Sequence, residues 1–211
     1  YGIWIAEVML QQTQLAVVLP HWERWMATFP TVEALAAASL DQVRLQWQGL
    51  GYYSRARRLH EAAQMLVGRP WPRSLEGWMA LPGIGRTTAG SILSCAFNAS
   101  LPILDGNVKR VLARLTAHPR PPARDDALFW SWSEALLDPL RPRDTNQALM
   151  DLGGHALHPP PAGLPPLPLA IPLRCLRCRR PPPMARDRRP QALALPGDRC
   201  GGSCSTRQRR C

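Results

Sequence analysis

Leu81-Pro82-Gly83-Ile84-Gly85-Arg86-Thr87-Thr88-Ala89-Gly90 is the stretch whose reading decides the fold. It follows one short helical segment and opens another, Thr87 to Phe97. Pro82 cannot continue a helix, and two glycines one residue apart let the backbone turn tightly before the next helix begins. A turn of this kind points amide N–H groups and a helix N-terminus outwards, where a phosphate can be held without side chains intervening. The same residues also suit a plain helix–helix corner in which Gly83 is a C-cap and nothing binds. On spacing alone the two readings are even.

Working outwards, residues 1–153 are helical throughout. Apolar residues recur on one side of Ile3 to Gln12, Leu15 to Phe29, Leu40 to Trp47, Tyr52 to Val67, Thr87 to Phe97, Val108 to Leu115 and Ala127 to Leu137. No segment alternates with period two for long, and there is no internal repeat, so the expectation is an all-α domain of short helices. Punctuation agrees: Ser39 with Gln42 suits a capping box, Gly49 and Gly51 close one helix, and Pro30, Pro82 and Pro142 fall between others. Pro20 marks either a kink in the second segment or its start. The longest apolar stretch near the front, Ile3 to Leu10, is broken by Glu7 and is not preceded by a basic segment, so it is neither signal peptide nor anchor. A soluble, intracellular protein without membrane contact is expected. Because the chain enters an apolar segment directly from Tyr1, the N-terminus reads as cut, with upstream structure missing.

Composition breaks near Gly153. Residues 1–153 hold 15 Lys+Arg against 13 Asp+Glu and contain all 8 Trp, all 3 Tyr and all 3 Phe. Residues 154–211 hold no aromatic residue, 12 of the 23 prolines, 5 of the 6 cysteines, and 11 Arg against 2 acids. The overall net charge of +11 therefore belongs mostly to this tail. A segment so poor in large apolar residues cannot bury enough surface to offset its ordering entropy, which predicts a disordered Pro/Arg-rich tail over 154–211 and a folded domain over 1–153. Its charge would hold nucleic acid through counterion release, as any flexible Arg-rich polymer does.

Twenty residues beyond Gly85 comes Ile103-Leu104-Asp105-Gly106-Asn107-Val108-Lys109-Arg110-Val111, a carboxylate at the mouth of a basic-flanked helix. Asp105 suits an N-cap for that helix on ordinary grounds. The glycine hairpin looks like a helix-hairpin-helix, and with such an Asp at this spacing it resembles the DNA glycosylase superfamily of base-excision repair. Glu7-Val8-Met9-Leu10-Gln11-Gln12-Thr13, Gly49-Leu50-Gly51-Tyr52-Tyr53-Ser54-Arg55-Ala56-Arg57, Leu104-Asp105-Gly106-Asn107-Val108 and Asn146-Gln147-Ala148-Leu149-Met150-Asp151-Leu152-Gly153 resemble its adenine-specific MutY branch. Four separated motifs stand in order, and the likeness runs from Tyr1 to Gly153.

That resemblance implies a six-helix helix-hairpin-helix glycosylase domain with an incomplete iron-sulfur domain behind it. It also implies hydrolysis of the N-glycosidic bond of adenine mispaired with 8-oxoguanine or guanine in double-stranded DNA, by a monomer. The chemistry asks for an acid near the departing base and a negative charge near a cationic sugar, which two carboxylates can supply. Glu7 lies in an otherwise apolar segment, where desolvation favours its protonated form, so it is the candidate acid. By family correspondence Glu7 protonates adenine at N7 and then helps to activate water. Asp105 stabilises the sugar through a transient covalent adduct, and Asn107 orients Asp105. Leu81, Gly83, Gly85, Arg86, Thr87 and Thr88 form the hairpin that meets the backbone of DNA. The target base must be extruded from the stack; the family assigns wedge and readout work to Gln12, Thr13 and Tyr52, and places Leu10, Leu15 and Asp151 around the flipped base. On their own, Gln12 and Thr13 suit a polar helix end, Tyr52 an amphipathic cover, and Arg55, Arg57 and Arg58 a solvated face that could also meet phosphates.

Thr87 stands where the bifunctional endonuclease III-like branch carries a lysine whose amine forms a Schiff base. A hydroxyl cannot make that imine, and the only lysine, Lys109, reads as a surface or phosphate-contacting residue. Glycosylase action without an efficient lyase step is therefore expected. The alternatives are an endonuclease III-like glycosylase-lyase and a catalytically impaired DNA-binding fragment. The family's [4Fe-4S] cluster needs Cys-x6-Cys-x2-Cys-x5-Cys after Leu-Gly, whereas Gly153 leads into Gly154-His155-Ala156-Leu157-His158-Pro159, so the cluster pattern is absent and no metal ligand is assigned. Cys175 and Cys178 form a Cys-x2-Cys, but Cys200, Cys204 and Cys211 follow at the wrong intervals. Cys95 suits a small core residue. Twenty-five Arg to one Lys points to GC-rich coding DNA, which in a shifted frame yields Pro, Arg, Ala and Gly, so the tail reads as frame-shifted. A bacterial version would work in the cytoplasm or nucleoid.

Overall fold

The computed structural model describes residues 1–118 and 124–156, the side chains of 155 and 156 excepted. Of the tail expected over 154–211, residues 154–156 belong instead to a helical turn that continues from the folded part, and 157–211 lie outside the described residues, as do all the cysteines beyond Cys95. Among the described residues ten α-helices follow one another: α1 (Gly2–Leu10), α2 (Leu15–Thr28), α3 (Val32–Ala37), α4 (Leu40–Gln46), α5 (Ser54–Leu66), α6 (Leu75–Met79), α7 (Arg86–Phe97), α8 (Gly106–Leu115), α9 (Asp126–Leu136) and α10 (Pro142–Asp151). A π-helical turn, Leu152–Ala156, ends the described chain. There is no strand among the described residues, so the all-α expectation stands.

Local chemistry explains the boundaries. Ser39 and Gln42 form the expected capping box, with Ser39 N donating to Gln42 Oε1 at 2.9 Å and Gln42 N to Ser39 Oγ at 3.3 Å. Thr31 caps α3 and Ser74 caps α6 by one bond each, their hydroxyls accepting from Ala34 N and Gly77 N. Gly49 and Gly51 have φ of 101° and 70°, which ends the α4 region. α2 begins at Leu15 and carries Pro20 inside it, so of the two readings for Pro20 the one that starts the helix there falls. Pro20 has no N–H for the Ala16 carbonyl, and packing carries the helix across the gap. Pro142, expected between helices, instead opens α10, where the missing N–H is one of the orphans of a first turn.

Two apolar cores result. The larger is built on α1 to α7 and includes Trp4, Trp25, Trp47 and Trp78, each 1% exposed or less. Their rings pack edge to face or tilted: Trp25 lies 5.6 Å from Trp47, and Trp4 lies 6.2 Å from Trp78. The smaller joins Ile103, Leu104, Val108, Leu112 and Phe129, with Trp130, Trp132 and Leu149 packed against it. α1 packs on α2, α5 and α7, while α10 packs on α7 and α8 and so ties the cores together. Asn146 on α10 donates to Ser94 Oγ at 3.2 Å and to the Leu101 carbonyl at 2.9 Å across that seam. Gly90 is required there, because a Cβ would stand 2.9 Å from the Pro102 carbonyl oxygen.

Candidate active site

Glu7 sits in the middle of α1, between neighbours that bury Trp4, Ile5, Val8 and Met9. Desolvation pushes its carboxyl above the ordinary value, the Ser91 hydroxyl on α7 draws it partly back, and the charge of Asp105 pushes it up again. The last cause places Asp105 within electrostatic reach of Glu7, although 98 residues of sequence separate them. Ser91 is buried, and its Oγ closes no well-formed hydrogen bond of its own. Asp105 is the N-cap of α8 and accepts from Val108 N at 2.7 Å. One carboxylate oxygen is therefore held by the helix.

Asn107 lies in the first turn of α8, and its Oδ1 accepts from Arg110 at 3.0 Å rather than meeting Asp105. The same guanidinium donates to the Gly153 carbonyl. Gly153 presses on this turn: a Cβ there would lie 2.6 Å from the Asn107 carbonyl carbon. Asn107 thus joins α8 to the end of α10. Thr87 in the first turn of α7 donates to the Leu104 carbonyl at 3.1 Å, which sets a hydroxyl beside Asp105. Lys109 points elsewhere and pairs with Asp126 at 2.7 Å.

The hairpin has the expected turn. Leu81 is buried, and Gly83 has φ +81°, with Arg58 carbons 3.1 Å from where its Cβ would be. Gly85 differs: its φ is −94°, and a Cβ would meet open space. Gly85 is also the N-cap of α7 and offers no side-chain acceptor, so the first-turn amides of α7 stay available to an outside anion. Arg86 is exposed and lies 3.9 Å over the Trp130 ring. Thr88 accepts at Oγ1 from Gln11 Nε2 at 3.1 Å, and the same amide donates to the Gly83 carbonyl at 3.3 Å. Gln11 thereby fastens the end of α1 to the hairpin.

Gln12 and Thr13 follow directly, Gln12 exposed with φ 57° and Thr13 half-buried. Tyr52, 63% exposed with φ 46°, stands near them. Arg55 brings these residues together, and here the solvated-face reading is corrected. Arg55 is 8% exposed, because the last-turn carbonyls of α1 and the carbonyls of Leu50 and Gly51 converge on its guanidinium. Arg57 does face solvent, paired with Glu61 at 2.6 Å. Leu10, Leu15 and Asp151 are spread over α1, α2 and α10: Leu10 is half-buried, Leu15 is 65% exposed, and Asp151 accepts from Gln147 at 2.9 Å. These three line neither the cavity beside Arg141, Ala148 and Leu152 nor the one between Gln11, Arg58 and Gly83.

Cys95 is the only cysteine among the described residues, and it is half-buried with burial pushing its thiol pKa up. No group of three His, Cys, Asp or Glu side chains among the described residues could hold a metal, so they do not supply the ligands of a cluster. No helix among them is long and apolar enough to cross a membrane. The residues that sequence reasoning missed are Arg55, Gln11, Ser91 and Arg110, each polar and each made significant by contacts distant in sequence.

The chain is similar to several known proteins. The adenine DNA glycosylase of Mus musculus is 42% identical over 217 residues, covering 100% of this chain and 41% of that protein. The Homo sapiens adenine DNA glycosylase is 46% identical over 165 residues, covering 75% of this chain and 30% of that protein. The chain thus spans well under half the length of these relatives. Among solved structures, a thermostable thymine-DNA glycosylase superposes with a TM-score of 0.68 at 24% identity, over 75% of this chain and 76% of that one, and so shares the fold. The profile of the HhH-GPD superfamily base excision DNA repair proteins matches residues 5–133, from the helix that carries Glu7 through the hairpin and Asp105, and the chain belongs to that family.

Proposed function

We propose that this chain is a DNA glycosylase that hydrolyses the N-glycosidic bond of adenine mispaired with 8-oxoguanine or guanine in duplex DNA, acting as a monomer and without an efficient lyase step. The observation that carries the reading is the pairing of Glu7, whose burial favours the protonated form, with Asp105 anchored at the start of α8. Glu7 is the acid: it gives its proton to the departing adenine, and as a carboxylate it takes a proton from the attacking water. Asp105 offsets the positive charge that grows on the sugar as the bond to the base lengthens. Thr87, held on the Leu104 carbonyl, offers this centre a hydroxyl in place of an amine. The open N-terminus of α7 and Gly85 hold a backbone phosphate, Gln12, Thr13 and Tyr52 work at the extruded base and its partner, and Leu10, Leu15 and Asp151 border the flipped adenine.

The test is adenine release, measured by mass spectrometry, from a duplex with adenine opposite 8-oxoguanine or guanine. Release by the unmodified chain, its loss in Glu7→Gln, and the absence of a borohydride-trapped covalent adduct are expected. Duplex binding without release by either protein would sink the enzyme reading in favour of a binding fragment. A borohydride-trapped adduct would replace it with a glycosylase-lyase.

A further inference from the structure

Arg55 lies on α5, and its partners are carbonyl and hydroxyl oxygens rather than a carboxylate. Nη1 donates to the carbonyls of Val8 at 3.1 Å, Met9 at 2.8 Å and Gln11 at 2.5 Å. Nη2 donates to Leu50 O at 3.0 Å, Gly51 O at 3.4 Å and Thr13 Oγ1 at 3.0 Å. The guanidinium sits 5.2 Å from the Trp47 ring centre and 5.6 Å from that of Tyr52. Some of these acceptors are last-turn carbonyls of α1, which have no partner within the helix and favour a cation.

The pattern of the other acceptors is more specific. Gln12 and Tyr52 both adopt positive φ, at 57° and 46°, a backbone conformation that residues with a Cβ avoid. Such conformations persist only where the surroundings over-determine them. In each case Arg55 grips the peptide immediately before the strained residue: the Gln11 carbonyl precedes Gln12, and the Gly51 carbonyl precedes Tyr52. One planar fork therefore fixes the rotation at two positions 40 residues apart in sequence, and fastens the Thr13 hydroxyl between them. A lysine ammonium carries a charge but has no such fork.

We propose that Arg55 is a positioning residue that sets Gln12, Thr13 and Tyr52 in their duplex-engaging arrangement before DNA binds, an assignment that rests on the function proposed above. The cost of ordering the two loops is then met in folding rather than on encounter with the mispair. Arg55 itself touches no base.

The test compares the whole chain with its Arg55→Lys variant on duplexes carrying 2-aminopurine in place of the target adenine, whose fluorescence rises as it leaves the stack, and on duplexes with adenine itself. Arg55→Lys is expected to melt cooperatively and to keep the pH midpoint set by Glu7. Its fluorescence rise should be largely lost, and its single-turnover rate at saturating duplex lowered on the order of a hundredfold, the scale of loss when reacting groups are misplaced by about 1 Å. Unchanged fluorescence and rate, or a moved pH midpoint, would overturn the assignment. Should Arg55→Lys not fold, nuclear magnetic resonance order parameters of the unmodified chain without DNA decide the matter. Values of about 0.85 are expected at 11–13 and 51–53, and values below about 0.6 there would overturn it. If the unmodified chain neither releases adenine nor brightens the probe, the functional reading fails and takes this role with it; if it does both and Arg55→Lys matches it, only this role fails.

Discussion

Asp105→Asn separates the two tasks that one carboxylate performs. As N-cap of α8, Asp105 accepts from Val108 N at 2.7 Å. An Asn amide oxygen serves that position about as well as Asp, whereas Ala costs roughly 1 kcal/mol. Losing a negative charge at the helix N-terminus removes about 0.3–1 kcal/mol, so Asp105→Asn should unfold within about 1 kcal/mol of the unmodified chain. Catalysis should respond on another scale, since removing one preorganised electrostatic group from a reacting centre lowers kcat by about 10²–10³, or roughly 2.7–4 kcal/mol. A second signature is directional. The Asp105 charge is among the causes that raise the Glu7 pKa, so neutralising it lowers that pKa. Because the protonated form of Glu7 is the acid, the alkaline limb of the residual activity should move to lower pH. Urea denaturation gives the stability, and single-turnover adenine release over a pH series gives the rate and the limb. A rate within about threefold of the unmodified chain would make Asp105 a helix cap and nothing more.

Glu7→Gln should abolish release yet raise stability at neutral pH. The folded pKa of Glu7 lies above its ordinary 4.5, so between those two values the native state holds more protons than the unfolded chain, and stability falls as pH rises through that window and stays reduced above it. Gln carries no charge to desolvate, so the two proteins should converge below pH 4.5, and a variant no more stable than the unmodified chain at pH 7 would refute the burial argument. Ser91→Ala removes the hydroxyl that favours the Glu7 carboxylate, so the alkaline limb should move to higher pH, opposite to Asp105→Asn; no movement would take Ser91 out of the site. Gly153→Ala sets a Cβ against backbone atoms of Asn107 that cannot swing away and disturbs the Arg110 bond to the Gly153 carbonyl. Overpacking and a weakened charge-assisted hydrogen bond together should cost about 2–5 kcal/mol in denaturant melts, and a change under about 0.5 kcal/mol would contradict the packing.

What could be read from the sequence followed how local each cause is. The capping box at Ser39, the helix end at Gly49 and Gly51, and the turn at Gly83 are local backbone chemistry, and each stands where the residues put it. α3, α6 and α10 were not among the periodic segments: α3 has six residues and α6 five, too few to show a period, and α10 has polar residues over most of its length. Glu7 stood out as an acid among apolar neighbours and Asp105 as an acid at a helix mouth, but it was the likeness to the glycosylases that gave either one a role. Arg55 was not. One arginine beside two others looks like surface, and only the approach of the end of α1 and the 49–51 turn makes it interior. Asn107 shows the opposite limit: its place in the motif is plain, but its partner is Arg110 and its contact is Gly153, 46 residues further on.

Glu7 is rooted in the larger core, whereas Asp105 opens the helix that builds the smaller one. The gap that a nucleoside would occupy between them under the proposed function is therefore set by neither carboxyl group but by the joint, as the opening of a vice is set by its screw and not by its jaws. Asn146 across Ser94 and Leu101, Thr87 on Leu104, and Gly90 against Pro102 are the threads of that screw. Gly90, Ser94 and Asn146 need meet no part of a substrate, yet their shapes tune how far apart the two carboxyl groups stand. A search for altered rate or altered leaving group confined to the lining of the site would pass over them.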